Sequence, residues 1–342
     1  MITAMMNQKG GCGKSTSAQN LAAAYLRYYG SPVLMIDMDP QCNLTYAVGA
    51  DHTLPTITDV LMNGYDIGST IQHIEDAPDI IPASPMLATF DENLTAFRDV
   101  VAPLKEFYKL IVIDAPPSLG ILTLSVLAVC DDVIVPVTAN DVCSLQGLYN
   151  LADTVEAIRN AYNKTLNIAG ILRTNYVPRC VLVRHLDPMY VDTATAIGTR
   201  VFDTVIRRCD ALGEARTTRV DIFKYRLSSN AAEDYKAFCD EYLDRRMKLN
   251  VNNPAETFIA RKKAEKVAEE PESNQVVSEV QIPVKEPTFS INSERETKTA
   301  SVRLVMLPSL RARTKKAAWA MEMSANSLIE LAIEEFIQKH GF

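Results

Sequence analysis

The stretch that decides the fold is residues 8 to 16, which read Gln8-Lys9-Gly10-Gly11-Cys12-Gly13-Lys14-Ser15-Thr16. The usual phosphate-binding loop has the pattern G-x-x-x-x-G-K-[ST], and Gly13, Lys14 and Ser15 occupy its last three fixed positions. Gln8 stands where the first glycine of that pattern belongs, and a second lysine, Lys9, precedes Lys14. The segment is therefore a phosphate loop of a deviant kind.

The flanking sequence predicts the strand and helix that such a loop requires. Residues 2 to 6 are an apolar run typical of a buried strand, and residues 15 to 29 carry apolar side chains at helical spacing. Backbone N–H groups of the loop glycines can then surround a phosphate, and the helix adds the positive end of its dipole. We expect Lys14 to reach the β- and γ-phosphates of a nucleotide and the Ser15 hydroxyl to ligate Mg²⁺.

Carboxylates follow two further apolar runs. Residues 32 to 38 predict a short strand that leads into Asp37-Met38-Asp39-Pro40-Gln41, and Leu110–Asp114 predicts another that ends in a carboxylate. Ligands of open α/β sheets bind at the carboxyl ends of the strands. Asp37 and Asp114 are therefore candidate Mg²⁺ ligands together with Ser15. Asp37 or Asp39 alone would also suit a turn or a helix cap.

The rest of the first 250 residues predicts the fold class. Strand-like runs at 79–82, 110–114, 132–137 and 168–173 alternate with helical patterns at 90–107, 119–129, 144–162 and 231–247. Continuous apolar strands that alternate with helices indicate a mostly parallel sheet with helices on both faces. We expect an α/β fold of the deviant phosphate-loop NTPase type.

These segments together resemble the ParA/Soj family of DNA-partition ATPases over about residues 1 to 246. The motifs that carry the resemblance are residues 9–16, Asp37 to Gln41 with Asn43, Asp114-Ala115-Pro116-Pro117-Ser118-Leu119-Gly120, and Leu212-Gly213-Glu214-Ala215. In that family the early lysine crosses to the nucleotide of the partner subunit. The resemblance therefore implies an ATP-dependent homodimer in which Lys9 acts across the interface, while Lys14 and Ser15 act within one protomer. It further implies that Asp39 positions or activates the attacking water and that Asp114 supports Mg²⁺.

The resemblance also assigns the nucleotide contacts and shows where this sequence departs from the family. The implied contacts are Lys9, Gly10, Gly11, Cys12, Gly13, Lys14, Ser15, Thr16, Asn175 and Arg207. Cys12 and Cys42 replace the small residues usual at their positions, and Ile206-Arg207-Arg208-Cys209 replaces the family's Ile-Pro-Arg-Asn near the base. The adenine contacts are thus less closely matched than the phosphate contacts.

DNA binding is expected through a local basic surface. The chain has 35 Lys and Arg against 42 Asp and Glu, a net charge of −7, which argues against a protein covered in DNA-binding charge. Arg179 matches a DNA-contacting position of the family, whereas Ala211 stands where another arginine is usual. The predicted DNA-binding residues of the ATPase domain are Arg179, Arg207, Arg208, Arg216 and Arg219.

Composition excludes several other classes of protein. Seven cysteines without a C-x-x-C pair, and four scattered histidines, fit neither a disulfide framework nor a zinc site. No apolar run approaches the length of a membrane span, and a first strand at Ile2 leaves no room for a signal peptide. We expect a cytoplasmic, nucleoid-associated protein without a membrane partner.

The last third of the chain predicts two further regions. The ATPase domain is predicted to span residues 1–250. Residues 251–298 then contain Pro271, Pro283 and Pro287 among many acids, which is typical of an acidic flexible linker. Residues 299–342 combine an alternating strand, a proline and two amphipathic helices, and resemble a ribbon-helix-helix DNA-binding and dimerisation domain. By that resemblance Ser301, Arg303 and Val305 face bases. A plain helical dimerisation hairpin is the alternative.

The predicted function is ATP-dependent segregation of a plasmid or other mobile element, with a centromere-binding adaptor protein as partner. Two alternatives remain. One is a nucleotide-responsive transcriptional regulator that binds DNA. The other is a MinD-like membrane-cycling ATPase, which would need a basic amphipathic C-terminal helix, whereas the final helix here carries Glu330, Glu334 and Glu335 against Lys339.

Arg303→Ala tests the tail in the full-length chain. A groove-facing arginine that reads guanine O6 and N7 contributes roughly 1–3 kcal/mol of discrimination. The variant should therefore lose sequence preference while it keeps ATP-dependent, nonspecific DNA binding. Gel shifts on specific and random DNA measure both. An unchanged preference would leave the dimerisation hairpin as the better interpretation.

Overall fold

A computed structural model describes residues 1–51, 53–91 and 93–252 of the chain. Seven strands in these ranges form one sheet: β1 Ile2–Met5, β2 Val33–Asp37, β3 Asp79–Ile81, β4 Leu110–Asp114, β5 Asp132–Thr138, β6 Asn167–Tyr176 and β7 Val201–Arg207. They lie in the order β3-β2-β4-β1-β5-β6-β7, and every neighbouring pair is parallel. The α/β fold class predicted from the alternating pattern is confirmed.

Helices cover both faces of the sheet. They are α1 Lys14–Tyr29, α2 Asn43–Val48, α3 Ile57–Asn63, α4 Ala96–Val101, α5 Ile121–Leu127, α6 Cys143–Ala161, α7 Val181–Ala196, α8 Ala211–Thr217, α9 Ile222–Arg226 and α10 Asn230–Asn252. Successive residues of a strand point to opposite faces. Ile111 and Ile113 of β4 thus join the core that includes residues of α5 and α6, whereas Leu110 and Val112 join the core under α1 and α10.

Two expectations about the elements are corrected. The helical pattern at 90–107 is not one helix, because α4 gives way at Val101 to a 3₁₀ helix, Ala102–Glu106. Pro103 lies in this second segment and has no N–H for an α-helical hydrogen bond. Strand β7 was not predicted, since Asp203 and Thr204 interrupt its apolar residues.

Helix α10 closes the outer edge of β7. The Glu241 carboxylate accepts hydrogen bonds from the backbone N–H groups of Asp203 and Thr204, both at 2.8 Å, and Asp234 accepts one from the N–H of Arg207 at 2.8 Å. An open strand edge otherwise offers unpaired N–H groups to other chains. These two carboxylates satisfy three backbone N–H groups of β7 and fix α10 beside the end of that strand.

The predicted linker and tail fall almost wholly outside the described residues. Helix α10 continues to Asn252, two residues past the predicted end of the ATPase domain. The predicted ribbon-helix-helix domain, with Ser301, Arg303 and Val305, lies entirely outside the described ranges. Within those ranges, no helix combines the length and the apolar character needed to cross a membrane.

Candidate nucleotide site

The phosphate loop connects β1 to α1 at the carboxyl edge of the sheet. Gly11 and Gly13 have φ angles of 76° and 88°, in the left-handed region that side chains rarely adopt. The carbonyl of Gly13 accepts the first hydrogen bond of α1, from the N–H of Ser17 at 2.8 Å. The glycines are therefore required by backbone geometry, and they bring the loop to the positive end of α1.

The loop is held from below by the neighbouring strands. The Thr174 hydroxyl on β6 lies 2.9 Å from the carbonyl of Cys12 and 3.2 Å from that of Val137, so it can donate to either one. The Cys12 thiol, which is buried, donates to the carbonyl of Lys9 at 3.2 Å. Burial raises the pKa of the Cys12 thiol. Cys12 is therefore a neutral packing group that tightens the turn.

The two lysines of the loop have different surroundings. Lys14 is buried, and its Nζ donates to the carbonyl of Lys9 at 3.2 Å, so its side chain lies back across the loop. The Lys9 side chain is 45% exposed and forms an ion pair with Asp141, which follows β5. Asp141 also accepts a hydrogen bond from the Ser144 hydroxyl at 2.7 Å. Lys14 thus lines the loop, and Lys9 lies on its outer surface.

Two carboxylates meet beside the loop in a site without water access. The register of β2 and β4 pairs Asp37 directly with Asp114, and both side chains are fully buried. The two oxygens of Asp37 accept hydrogen bonds from the N–H of Asp39 at 3.0 Å and from the N–H and hydroxyl of Thr45 at 2.8 and 2.7 Å. Burial raises the pKa of Asp37 to about 6 despite these donors.

Asp114 differs from Asp37 because neither of its buried oxygens has a hydrogen-bond partner. Burial, followed by the nearby charge of Asp37, raises the pKa of Asp114 well above its usual value. Ser15 and Lys14, at the start of α1, lower the pKa of Asp114 and so oppose that rise in part. A buried carboxylate without donors is costly unless a cation neutralises it. Ser15, Asp37 and Asp114 therefore suit a bound divalent cation.

The described residues contain no group of three or more His, Cys, Asp or Glu side chains able to hold a metal ion alone. A cation here would complete its shell with phosphate oxygens and water. Mg²⁺ binds in that way, with one or two carboxylates, several waters and the phosphates of a substrate. The donor set fits Mg²⁺ brought in with a nucleotide better than a metal site made by protein alone.

Asp39 lies in the turn that follows β2. Its side chain is buried and accepts a hydrogen bond from the N–H of Gln41 at 3.0 Å, while its carbonyl accepts one from the N–H of Cys42 at 2.8 Å. Cys42 has a φ of 54°, a left-handed conformation that turns the chain into α2. The turn holds the Asp39 carboxylate close to Asp37, whose side chain bonds the backbone of Asp39.

A cleft of about 600 Å³ extends from the phosphate loop toward the end of β7. Its lining includes Gly11, Gly13 and Thr16 from the loop and helix α1, together with the predicted contacts Asn175 and Arg207. Asn175 has a φ of 49° and is exposed. The structure thus brings the phosphate loop and the predicted base-side residues to one cavity, whose size suits a small ligand.

Known proteins match both the sequence and the fold. The sequence model of the AAA domain family matches residues 1–168. The chromosome-partitioning ATPase Soj of Thermus thermophilus is 36% identical over 246 residues, which cover 71% of this chain and 95% of that protein. The chain belongs to the ParA/Soj family.

Solved structures agree with this assignment. A putative plasmid partition protein of Borrelia burgdorferi bound to AMPPNP has a TM-score of 0.59 at 25% identity, and covers 72% of this chain and 98% of its own. Cobyrinic acid a,c-diamide synthase of Mycobacterium smegmatis, with a bound ATP analogue and magnesium, has a TM-score of 0.60 at 29% identity. The match covers 70% of this chain and 92% of that one. The predicted resemblance is confirmed for the first 250 residues or so.

The arginines predicted to bind DNA are unequally available in this ParA-type fold. Arg179, Arg208, Arg216 and Arg219 are exposed, and Arg208 and Arg216 border the cleft. Arg207 is only partly exposed, and its guanidinium forms an ion pair with Asp234 at 2.7 Å and another with Glu233 at 3.2 Å. Two acids of α10 thus already neutralise Arg207, and the other four offer the more accessible charge.

Three further residues of the site were not predicted. Thr174 supports the loop, Thr45 holds Asp37, and Asp141 pairs with Lys9. Asp141 follows an apolar run at the carboxyl edge of the sheet, which is the signal that identified Asp37 and Asp114. The two threonines gave no such signal, because a hydroxyl that bonds to a backbone group or a carboxylate requires no recognisable residue pattern around it.

Asp114→Asn tests the uncompensated carboxylate. Because the folded pKa of Asp114 lies above its unfolded value, ionisation destabilises the fold as the pH rises above about 4, the ordinary range of an aspartate. The variant should unfold at a higher temperature in the absence of nucleotide, with a gain of about 1–3 kcal/mol. The gain should be larger at about pH 8 than at about pH 5.

Thermal unfolding across this pH range measures the effect. Asp153→Asn, which removes an exposed carboxylate from α6, is the matched control and should change little. A variant less stable than the parent at every pH would contradict the assignment of Asp114 as an uncompensated charge.

Proposed function

We propose that the protein is a DNA-partition ATPase that forms a dimer around ATP, binds DNA in that state and releases it on hydrolysis, and that it segregates a plasmid or other mobile element. The observation that carries the proposal is the partnerless, buried carboxylate of Asp114 opposite Asp37 and beside the phosphate loop. Such a pair needs a cation, and a nucleotide in the loop brings Mg²⁺ with it.

The nucleotide would bind with its phosphates at the start of α1. Backbone N–H groups of Gly10 to Thr16 would surround the phosphates, and the Lys14 ammonium would leave the carbonyl of Lys9 for the phosphate oxygens. Ser15, Asp37 and Asp114 would hold Mg²⁺ directly or through water. When bound, Mg²⁺ would neutralise charge on the phosphates. Asn175 and the Arg207 to Cys209 segment would border the base.

Hydrolysis would depend on the Asp39 carboxylate. Phosphoryl transfer needs an oriented water and neutralised oxygens more than covalent help from the protein. Asp39 is held by the turn after β2, and the backbone N–H of Asp39 itself bonds the cation-binding Asp37. This arrangement supports Asp39 as the group that orients the attacking water or accepts its proton.

Lys9 would act across a dimer interface. Its position on the outer surface of the loop supports this role, since a side chain there can extend to a second protomer facing the same site. Within one protomer its ammonium pairs with Asp141, so dimer formation would exchange that ion pair for the phosphates of the partner's nucleotide. A phosphate group carries more charge than a carboxylate, and this favours the exchange when ATP is bound.

DNA would bind to the exposed arginines near the cleft. Arg179, Arg208, Arg216 and Arg219 would contact phosphates without regard to sequence, and a dimer would present two such sets together. Relatives carry names such as chromosome partitioning protein ParA of Myxococcus xanthus, 32% identical over 254 residues. By this likeness the protein would act on the nucleoid in the cytoplasm, with a centromere-binding adaptor that stimulates hydrolysis.

Lys9→Ala and Lys14→Ala should separate the two lysines. Lys14→Ala should abolish ATP binding because Lys14 lines the loop, whereas Lys9→Ala should keep measurable binding and lose ATP-dependent dimerisation. Equilibrium binding of a labelled ATP analogue and sedimentation with ATP measure the two properties. A Lys9→Ala protein that still forms a stable ATP-dependent dimer would rule out the shared site.

Asp39→Ala should uncouple binding from hydrolysis. Loss of a group that positions or activates water lowers turnover by a factor on the order of 100 or more. The variant should therefore remain as an ATP-bound dimer on DNA, with little phosphate release. Asp153→Asn serves again as the control. Turnover at the level of the parent protein would move the role to another group.

A further inference from the structure

Helix α2 lies between the Asp39 turn, which is the turn that carries Asp39 after β2, and two of the basic residues, Arg216 and Arg219. It begins at Asn43, shortly after Asp39, and has only six residues. Both of its ends are fixed by left-handed residues, Cys42 with a φ of 54° and Gly49 with a φ of 74°. A helix of six residues is less than two turns long, so its two ends lie within about 9 Å of each other.

One face of α2 is bonded to the cation-binding carboxylate. The N–H and hydroxyl of Thr45 both donate to Oδ2 of Asp37, at 2.8 and 2.7 Å, and the same hydroxyl accepts from the N–H of Ala83 at 3.0 Å. Thr45 is fully buried. The orientation of Asp37 therefore depends on where α2 lies, and the backbone of Asp39 bonds to Asp37 in turn.

The opposite side of α2 is held by Arg216 and Arg219, which lie at the end of α8 and in the loop that follows. Arg216 donates to the Asn43 side-chain oxygen at 2.7 Å. The guanidinium carbon of Arg219 lies 4.9 Å from the centre of the Tyr46 ring, and the aliphatic part of its side chain packs on Gly49. Arg219 has a φ of 59°, an uncommon conformation for a residue with a side chain.

We propose that Asn43 and Tyr46 are positioning residues that transmit DNA binding at Arg216 and Arg219 to the Asp39 turn. This inference rests on the proposed function. A guanidinium can stack its face on an aromatic ring while its edge donates hydrogen bonds to a phosphate, so DNA does not have to displace Arg219 from Tyr46. Phosphate contacts would restrict the two arginines and with them α2, and the position of α2 sets the orientation of Asp37 through Thr45.

The expected consequence is a higher turnover number at saturating ATP when DNA is bound. The KM for ATP should change less than kcat, because the hydrogen bonds of α2 to the site go to the Asp37 carboxylate. A surface cation–π contact of this kind corresponds to about a two- to fivefold effect. A rise in kcat of that size is expected on DNA.

The test compares Tyr46→Phe with Tyr46→Leu in the full-length protein. Phenylalanine keeps a ring for Arg219 and should retain the rise in kcat on DNA, whereas leucine should lose it. Asn43→Ala, which removes the contact of Arg216, should lessen the rise. Tyr149→Leu on α6 is the matched control, since that tyrosine is 42% exposed against 43% for Tyr46, and it should respond to DNA as the parent does.

Steady-state ATP hydrolysis with and without saturating nonspecific DNA gives kcat and KM. DNA binding is measured in parallel. Melting temperatures show that each variant is folded. An equal rise in Tyr46→Leu and the parent, or a loss in Tyr46→Phe as well, would overturn the inference. If the parent hydrolyses ATP and binds DNA but its kcat is the same with and without DNA, the inference fails while the proposed function stands. A parent that lacks either activity would overturn the proposed function too.

Discussion

The pairing of Asp37 with Asp114 is the constraint on which the rest of the site depends. The register of β2 and β4 puts the two carboxylates side by side at the edge of a parallel sheet, where both are fully buried. Burial raises the pKa of both carboxyls, and the nearby charge of Asp37 raises the pKa of Asp114 further. Three donors partly stabilise Asp37, whereas Asp114 has none. A divalent cation held with a nucleotide would offset this charge, and the stability of the site would then depend on the nucleotide.

The phosphate loop and the Asp39 turn both lie beside that pair. The loop ends at Ser15, which faces Asp114 from the first turn of α1, and the turn after β2 begins with the bond between Asp37 and the backbone of Asp39. Glycines at positive φ and the left-handed Cys42 allow these two loops to approach the same point. The register of β2 and β4, not local propensity, therefore sets how the two carboxylates lie beside the phosphate loop.

Much of the fold and of the phosphate site could be predicted from the sequence, because both leave regular signals. Apolar runs that end in Asp37 and Asp114 identify buried parallel strands, and the loop has a fixed spacing of glycine, lysine and serine. Strand β7 leaves a weaker signal, because Asp203 and Thr204 interrupt its apolar residues. The partners of its edge, Glu241 and Asp234, lie about 30 residues later in the chain. The ion pairs of Arg207 with Asp234 and of Lys9 with Asp141 join residues distant in sequence, and spacing carries no information about them.

Those distant pairs also explain why charged residues in this chain have unequal roles. Arg207 lies between two acids of α10 and stabilises the junction of that helix with the sheet, whereas Arg216 and Arg219 contact only neutral groups of α2, an amide and a ring. A guanidinium whose protein partner is neutral keeps its positive charge, and most of its N–H donors stay available to a phosphate. In the proposed function the same two arginines would hold α2 in place and still attract DNA, and this combination requires that their partners on α2 be uncharged.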